Sequence, residues 1–366
     1  MPDGVGESPA VLSHPTATTT MPMMNAVARM AGPTYGSGDE AASTRALVRA
    51  ARNAAGSAGD LSEGESLETR YAMAGAPARI APAAPLEDGD FARPVRGAAA
   101  PVFAAFLDGV QNSRAAAWLS SGVPIVVASI GAVILERVGR ALVTWANGVR
   151  VQRVLLAPRA LVDDAVWSLL ESAGHVEDTR ADPDDRHPEA LLLRAVHAVE
   201  SLRAAQECAL AERWVAERTE PLYVDGGLSA VGTASRSPVA IGVVKSHRTI
   251  HVEAARLPEL FALGEGDRTP VRTVAPGAHR VPVWTWYLRL RAPTASDPLH
   301  GLARIEVAPQ DGGATARADE VSRWVLAERT PVALPDARWD VLSYGIARCE
   351  AYLKRGLALH GSGGRT

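Results

Sequence analysis

No charged residue lies between Arg114 and Glu136, and Val123 to Leu135 is apolar almost throughout. Such a run must be hidden from water, in a protein core or in a bilayer, so it restricts the fold more than any other stretch. A bilayer crossing takes about 20 predominantly apolar residues, and 115–135 only just reaches that length. Its first third holds Trp118, Ser120, Ser121, Gly122 and Pro124. That leaves a strongly apolar part of about a dozen residues, the length of a buried core element. We read it as a core element within a helical region that continues to Arg150. The alternative is membrane association through 115–135.

Residues 1–100 are rich in Ala, Gly, Pro, Ser and Thr without sustained apolar periodicity. They read as a mostly disordered arm, interrupted by one helix over 41–55 that Gly56 stops. A helical region is expected over 101–218, with a short strand at 151–156, an amphipathic helix at 161–173 and a long helix at 188–218. In the last of these Leu191, Leu192, Ala195, Val196, Val199, Leu202 and Leu210 recur at three- and four-residue steps, and Pro188 suits the first turn. A second domain follows over 219–358, and 359–366 is a disordered tail. Within that domain strands are expected at 222–225, 239–244, 249–252, 281–290 and 302–307, with a loop at 264–270. Helices are expected at 256–262, 319–329 and 337–357. The pattern is α+β, one mixed sheet flanked by helices.

Net charge is −3 at pH 7, so the chain has no global basic field. Binding to a polyanion would need a local basic groove or a partner. Cys208 and Cys349 lie far apart and neither has a neighbour at metal-ligand spacing. Two cysteines in this length suit a reducing cytosol, and the first thirty residues lack the apolar core of a secretory signal. A cytoplasmic protein is expected.

The chemistry points to the second domain. Leu222-Tyr223-Val224-Asp225-Gly226-Gly227 ends a strand on a carboxylate and turns on two glycines, which let an ion or phosphate approach the backbone. The same pattern also serves as an ordinary Asp-Gly turn. Hydrolysis of a phosphodiester by paired hard cations needs several carboxylates converging on the ions. Glu306 is the next candidate, sharing a strand face with Arg304, although such a pair is also a common solvated ladder. Asp267 and Arg268 could supply a ligand and a phosphate contact from the glycine loop, and Asp340 could project from the terminal helix. Lys245, ending the second strand, could hold a phosphate. Trp284, Trp286 and Tyr287 could stack on bases or lie under helices.

Four ordered blocks carry a resemblance across 222–354. They are Val224-Asp225-Gly226-Gly227, then Gly242-Val243-Val244-Lys245-Ser246-His247. The third joins Gly266-Asp267-Arg268-Thr269-Pro270 to Trp286-Tyr287-Leu288-Arg289-Leu290 and Arg304-Ile305-Glu306; the last runs from Arg338-Trp339-Asp340 through Tyr344-Gly345-Ile346 to Glu350. Together they resemble the NurA nucleases, partners of the HerA hexameric translocase. The resemblance implies a ribonuclease-H-like fold and a Mn2+- or Mg2+-dependent DNA end-processing nuclease of DNA repair, acting as a homodimer docked on a HerA-type ATPase. It makes Asp225 the first-strand metal ligand and catalytic residue, with Glu306 and Asp340 as further catalytic acids. Asp267 would add a metal ligand, and Lys245, Arg268 and Arg304 would contact DNA phosphate. Gly227 stands where the family has serine, and where the family's final helix has a histidine after a Tyr-Pro pair, Tyr344 is followed here by Gly345 and the helix offers Arg348 and Glu350. A catalytically weak or inactive scaffold is therefore the alternative to an active nuclease.

Overall fold

A computed structural model of the chain describes residues 40–56, 65–71, 77–228, 232–274, 281–311, 313–329 and 344–356. In chain order the elements are α1 (Glu40–Ala54), α2 (Leu67–Arg70), β1 (Arg79–Ile80), β2 (Arg93–Pro94), β3 (Ala105–Trp118), β4 (Pro124–Val138) and β5 (Ala141–Ala157). Next come α3 (Asp164–Ala173), β6 (Val176–Asp178), α4 (Pro188–Glu217), β7 (Leu222–Asp225), β8 (Ala240–Val244), β9 (Thr249–Ile250) and α5 (Leu257–Phe261). The last are β10 (Asp267–Arg268), β11 (Arg272–Val274), β12 (Val283–Arg289), β13 (Leu302–Val307), α6 (Ala314–Glu328) and α7 (Tyr344–Gly356).

One mixed sheet runs β2-β10-β12-β13-β8-β7-β3-β4-β5-β6, with β11 paired to β12. Its centre is an antiparallel meander β3-β4-β5. The long helix α4 then crosses over and delivers β7 parallel to β3, and β8 parallel to β7. Three antiparallel strands, a crossover helix and two strands added in parallel on the side of the first make the fold ribonuclease-H-like. The later strands β13, β12 and β10 extend it antiparallel.

The uncharged run is buried, but it is not helical. Residues 115–135 form the end of β3, a turn and most of β4, so the helical region expected over 101–150 is a β-meander. β4 is covered on both faces. Val126, Ala128 and Ile130 pack on Leu192, Ala195, Val196 and Val199 of α4. Ile125 and Val127 pack on Leu47, Val48 and Ala51 of α1, and Val133 and Leu135 share a core layer with Ile346, Cys349 and Leu353 of α7. A strand buried on both faces reads as a continuous apolar run, without the alternation that identifies a half-exposed strand. Among the described residues no helix is long and apolar enough to cross a membrane.

The helix expected at 41–55 is present as α1, and it docks on the sheet instead of lying in a disordered arm. Other described parts of 1–100 are also packed. Leu67 and Phe91 are buried, and β2 pairs with β10, so the expected 264–270 loop contains a strand at Asp267–Arg268. Because β3–β5 share one sheet with β7, β8 and β10–β13, the expected boundary near 218 does not separate two folds. The long helix and the strand at 302–307 occur where the sequence reading places them.

Candidate active site

Two aspartates meet at the end of β7. Asp225 is its last residue, and beyond it Gly226 turns the chain at φ +132°. On the neighbouring parallel strand Leu107 pairs in register with Val224, so Asp108 is the next residue along β3. Strands lie about 4.8 Å apart, and cross-strand neighbours point to one side. Asp108 is opposite Val133 and Asp225 opposite Val243, and both of these belong to the core layer under α7. The two carboxylates therefore share a face.

A third acid approaches β3 from the other side of the sheet. Glu207 of α4 lies directly over Gly109, where a Cβ would collide with its carboxylate. Glycine at 109 is what lets an acid from the opposite layer approach the strand end. Arg203 forms an ion pair with Glu207 and donates Nε–H to Gln111 Oε1 at 3.0 Å. Lys245, the first residue after β8, brings Nζ to 2.8 Å from Asp225 Oδ2.

Electrostatics bind these groups into one cluster. Asp108 is 8% exposed, and its carboxyl is pushed up to about 7, first by burial and then by the Asp225 charge; Lys245 and the Gly109 N–H oppose the shift. The Gly109 N–H donates to Asp108 Oδ1 at 2.8 Å. Burial also raises the Glu207 carboxyl, Arg203 pulls it down, and Asp225 raises it further. Burial drives the Cys349 thiol on α7 well up, with Asp108 and Asp225 adding to the effect. The cluster is thus Asp108, Glu207 and Asp225, with Lys245 and Arg203 as its cations.

Sequence reasoning found Asp225 and Lys245 but missed Asp108 and Glu207. It also assigned Asp225 to the first strand of the sheet, which is β3 and carries Asp108. A signal was available: Leu107-Asp108-Gly109 repeats the apolar-Asp-Gly pattern of Val224-Asp225-Gly226. The expectation of a helix over 101–150 hid it.

The other expected residues lie elsewhere. Glu306 pairs in register with Gly242, which pairs with Val224, whereas Asp225 follows Val243 and Ile305. Glu306 and Asp225 therefore face opposite sides of the sheet. The buried Glu306 carboxylate pairs with Arg304 and accepts the Leu228 N–H at 2.7 Å, latching the turn after β7. Arg304 is thereby committed inside the protein and is not offered to DNA. Asp267 is four strands from β7, roughly 19 Å at strand spacing, and accepts the Gly264 N–H at 3.2 Å. Arg268 is 1% exposed and bridges Glu87 at 2.8 Å and Asp319 at 2.7 Å, so it too is internal. Trp286 is buried and donates its indole N–H to Ser322 Oγ on α6, away from any stacking surface. Asp340 lies outside the described residues.

Among the described residues no three His, Cys, Asp or Glu side chains are gathered tightly enough to enclose a metal ion. The chemistry of Asp108, Glu207 and Asp225 still fits one. All donors are carboxylate oxygens, the preference of Mg2+ and of similarly hard ions, and their mutual repulsion and desolvation are what a bound cation would relieve.

No family model matches the chain, and no curated protein matches it. Among solved structures it is similar to the NurA nuclease from Sulfolobus solfataricus, with a TM-score of 0.43 and 10% identity over 72% of this chain and 82% of that one. At that distance the similarity assigns no residue a role here.

Proposed function

We propose that the chain is a metal-dependent phosphodiester hydrolase acting on DNA, with Asp108, Asp225 and Glu207 as the acids that hold its cations. The observation that carries this reading is the electrostatically coupled pair Asp108 and Asp225 on adjacent parallel strands, with Glu207 entering over Gly109. When bound, Mn2+ or Mg2+ would supply a polarised water and charge neutralisation at phosphorus. The protein's part is to fix the three carboxylates in place and to offer Lys245 to a phosphate oxygen. The α7 layer shields one side of the cluster from bulk water.

Finer parts of the proposal follow the resemblance. Asp108-Gly109 supplies the Asp-Gly of the NurA first block on the first strand, a better position for it than Asp225-Gly226. On that reading the protein works in the cytoplasm as a homodimer with a HerA-type translocase, in DNA end processing. A weak or inactive scaffold is the second reading, favoured by the direct Lys245–Asp225 contact, which ties up one of the acids. End-labelled DNA incubated with Mn2+ tests the proposal. Asp108→Asn and Asp225→Asn are each expected to lower cleavage on the order of 10²-fold or more. Equal cleavage by the intact protein and both variants would reject this site, and no cleavage by the intact protein, even with its translocase, would leave the scaffold reading.

A further inference from the structure

We propose that Lys245 is a built-in counter-cation, occupying Asp225 until nucleic acid draws its ammonium away and opens the carboxylate to a divalent ion. The inference rests on the reading of Asp108, Glu207 and Asp225 as cation ligands.

Two kinds of ion pair occur in this protein. Some are shut off from water: Arg268 and Glu87 expose 2% and 3% of their side chains, Arg304 and Glu306 12% and 3%. The Lys245–Asp225 pair is different, exposing 38% and 18%. A pair open to solvent contributes little to stability. It is correspondingly easy to exchange for another partner. Lysine suits such an exchange, because its ammonium is a point charge on a flexible four-carbon stem and needs no fixed fork geometry.

The position of Lys245 supports the same conclusion. It stands one residue beyond β8, on the face that carries Asp225, so its stem can swing without disturbing a sheet hydrogen bond. Arg203 plays the parallel part on Glu207, with 30% of its side chain exposed. The resting site is thus neutralised by the chain's own cations. A phosphodiester offers both cations an alternative anion, and their departure leaves carboxylates that a metal can neutralise. Metal and DNA affinities must then rise together, since coupling between two ligands is reciprocal.

Mn2+ binding, followed by loss of the free-ion electron paramagnetic resonance signal, tests this without any turnover. The full chain is titrated with and without a nuclease-resistant phosphorothioate duplex. Without DNA, Lys245→Met is expected to bind Mn2+ roughly fivefold more tightly than the unaltered chain, the strong end of what an exposed pair is worth. The duplex should tighten Mn2+ binding in the unaltered chain and have much less effect in the variant. Lys245→Gln should repeat both results, and unchanged melting of the two variants would exclude a folding defect. Equal Mn2+ affinity in Lys245→Met and the unaltered chain would overturn the inference. Asp225→Asn separates the two levels: if it loses Mn2+ binding while Lys245→Met behaves normally, only the counter-cation role falls. If Asp225→Asn binds Mn2+ as well as the unaltered chain, the site reading falls and takes this inference with it.

Discussion

Asp108 and Glu306 are both buried acids, and their surroundings give them opposite work. The Asp108 carboxyl is pushed up to about 7 by burial and by Asp225. A carboxyl whose pKa is raised on folding stabilises the protein fully below its unfolded value, and that contribution is lost as pH rises through the folded value. The metal-free protein should therefore lose stability between about pH 4 and pH 7 on account of this group, on the order of 4 kcal/mol. Asp108→Asn should flatten that decline, making the variant the more stable protein at pH 8 while leaving it little changed at pH 4. Urea unfolding at the two pH values, with chelator present, measures the difference. Glu306 has a cationic partner and a backbone N–H instead. Glu306→Ala strands Arg304 in the interior and should cost about 3 kcal/mol. Its Mn2+ affinity should be that of the unaltered chain, which separates a structural carboxylate from a ligating one. Strand spacing alone could not distinguish the two acids from sequence, because the face each occupies depends on pairing register.

At the level of elements, local pattern was legible wherever an element has one wet face. The apolar rows of α4 follow from sequence periodicity because one side of the helix meets the core and the other does not. β3, β4 and the first part of β5 were not legible in this way, although the end of β5 at 151–156 was read as a strand. β4 is enclosed on both faces, so its sequence loses alternation, and only its β-branched Val and Ile content distinguishes it from a buried helix. That single misreading concealed Asp108, and with it the pairing of β3 and β7 that brings the two aspartates together. The crossover of α4 is equally consequential. It carries Glu207 to the strand end, where Gly109 leaves space for the carboxylate. Gly109→Ala should change stability little, because the atom displaced is the end of a flexible side chain. It should move the Glu207 carboxylate off the strand and weaken cleavage and Mn2+ binding together, on the order of tenfold. Normal activity with a normal melt would show that Glu207 takes no part in the site.

Across the whole molecule, the sheet is held to the chain preceding it by buried arginines that no local pattern announces. Arg268 on β10 joins Glu87 and Asp319, and Arg272 on β11 joins Glu253 and the carbonyl of Ala83. The Glu87 carboxyl, despite a burial penalty that would raise it, is held below its ordinary value by Arg268, Thr315 and the Val271 N–H. Glu87 and Arg268 are 181 residues apart in sequence, which is why 77–100 reads as disordered from composition alone. The polar residues of that segment are the ones the sheet needs to neutralise its own buried charge. Glu87→Ala removes one partner and leaves the Arg268 guanidinium desolvated, with Asp319 as its remaining anion. Breaking a buried pair in this way costs about 3–5 kcal/mol, and the surviving Asp319 contact places the expected loss near the lower figure. The damage should be regional before it is global. β2, which pairs with β10, should loosen first, opening the Arg96–Gly97 bond to trypsin at urea concentrations where β3 and β4 stay protected. Because β7 and Asp108 are several strands away, Mn2+ affinity of the folded variant should be unchanged. Simultaneous loss of tryptic protection and Mn2+ binding would mean that this edge and the acidic cluster unfold as one unit.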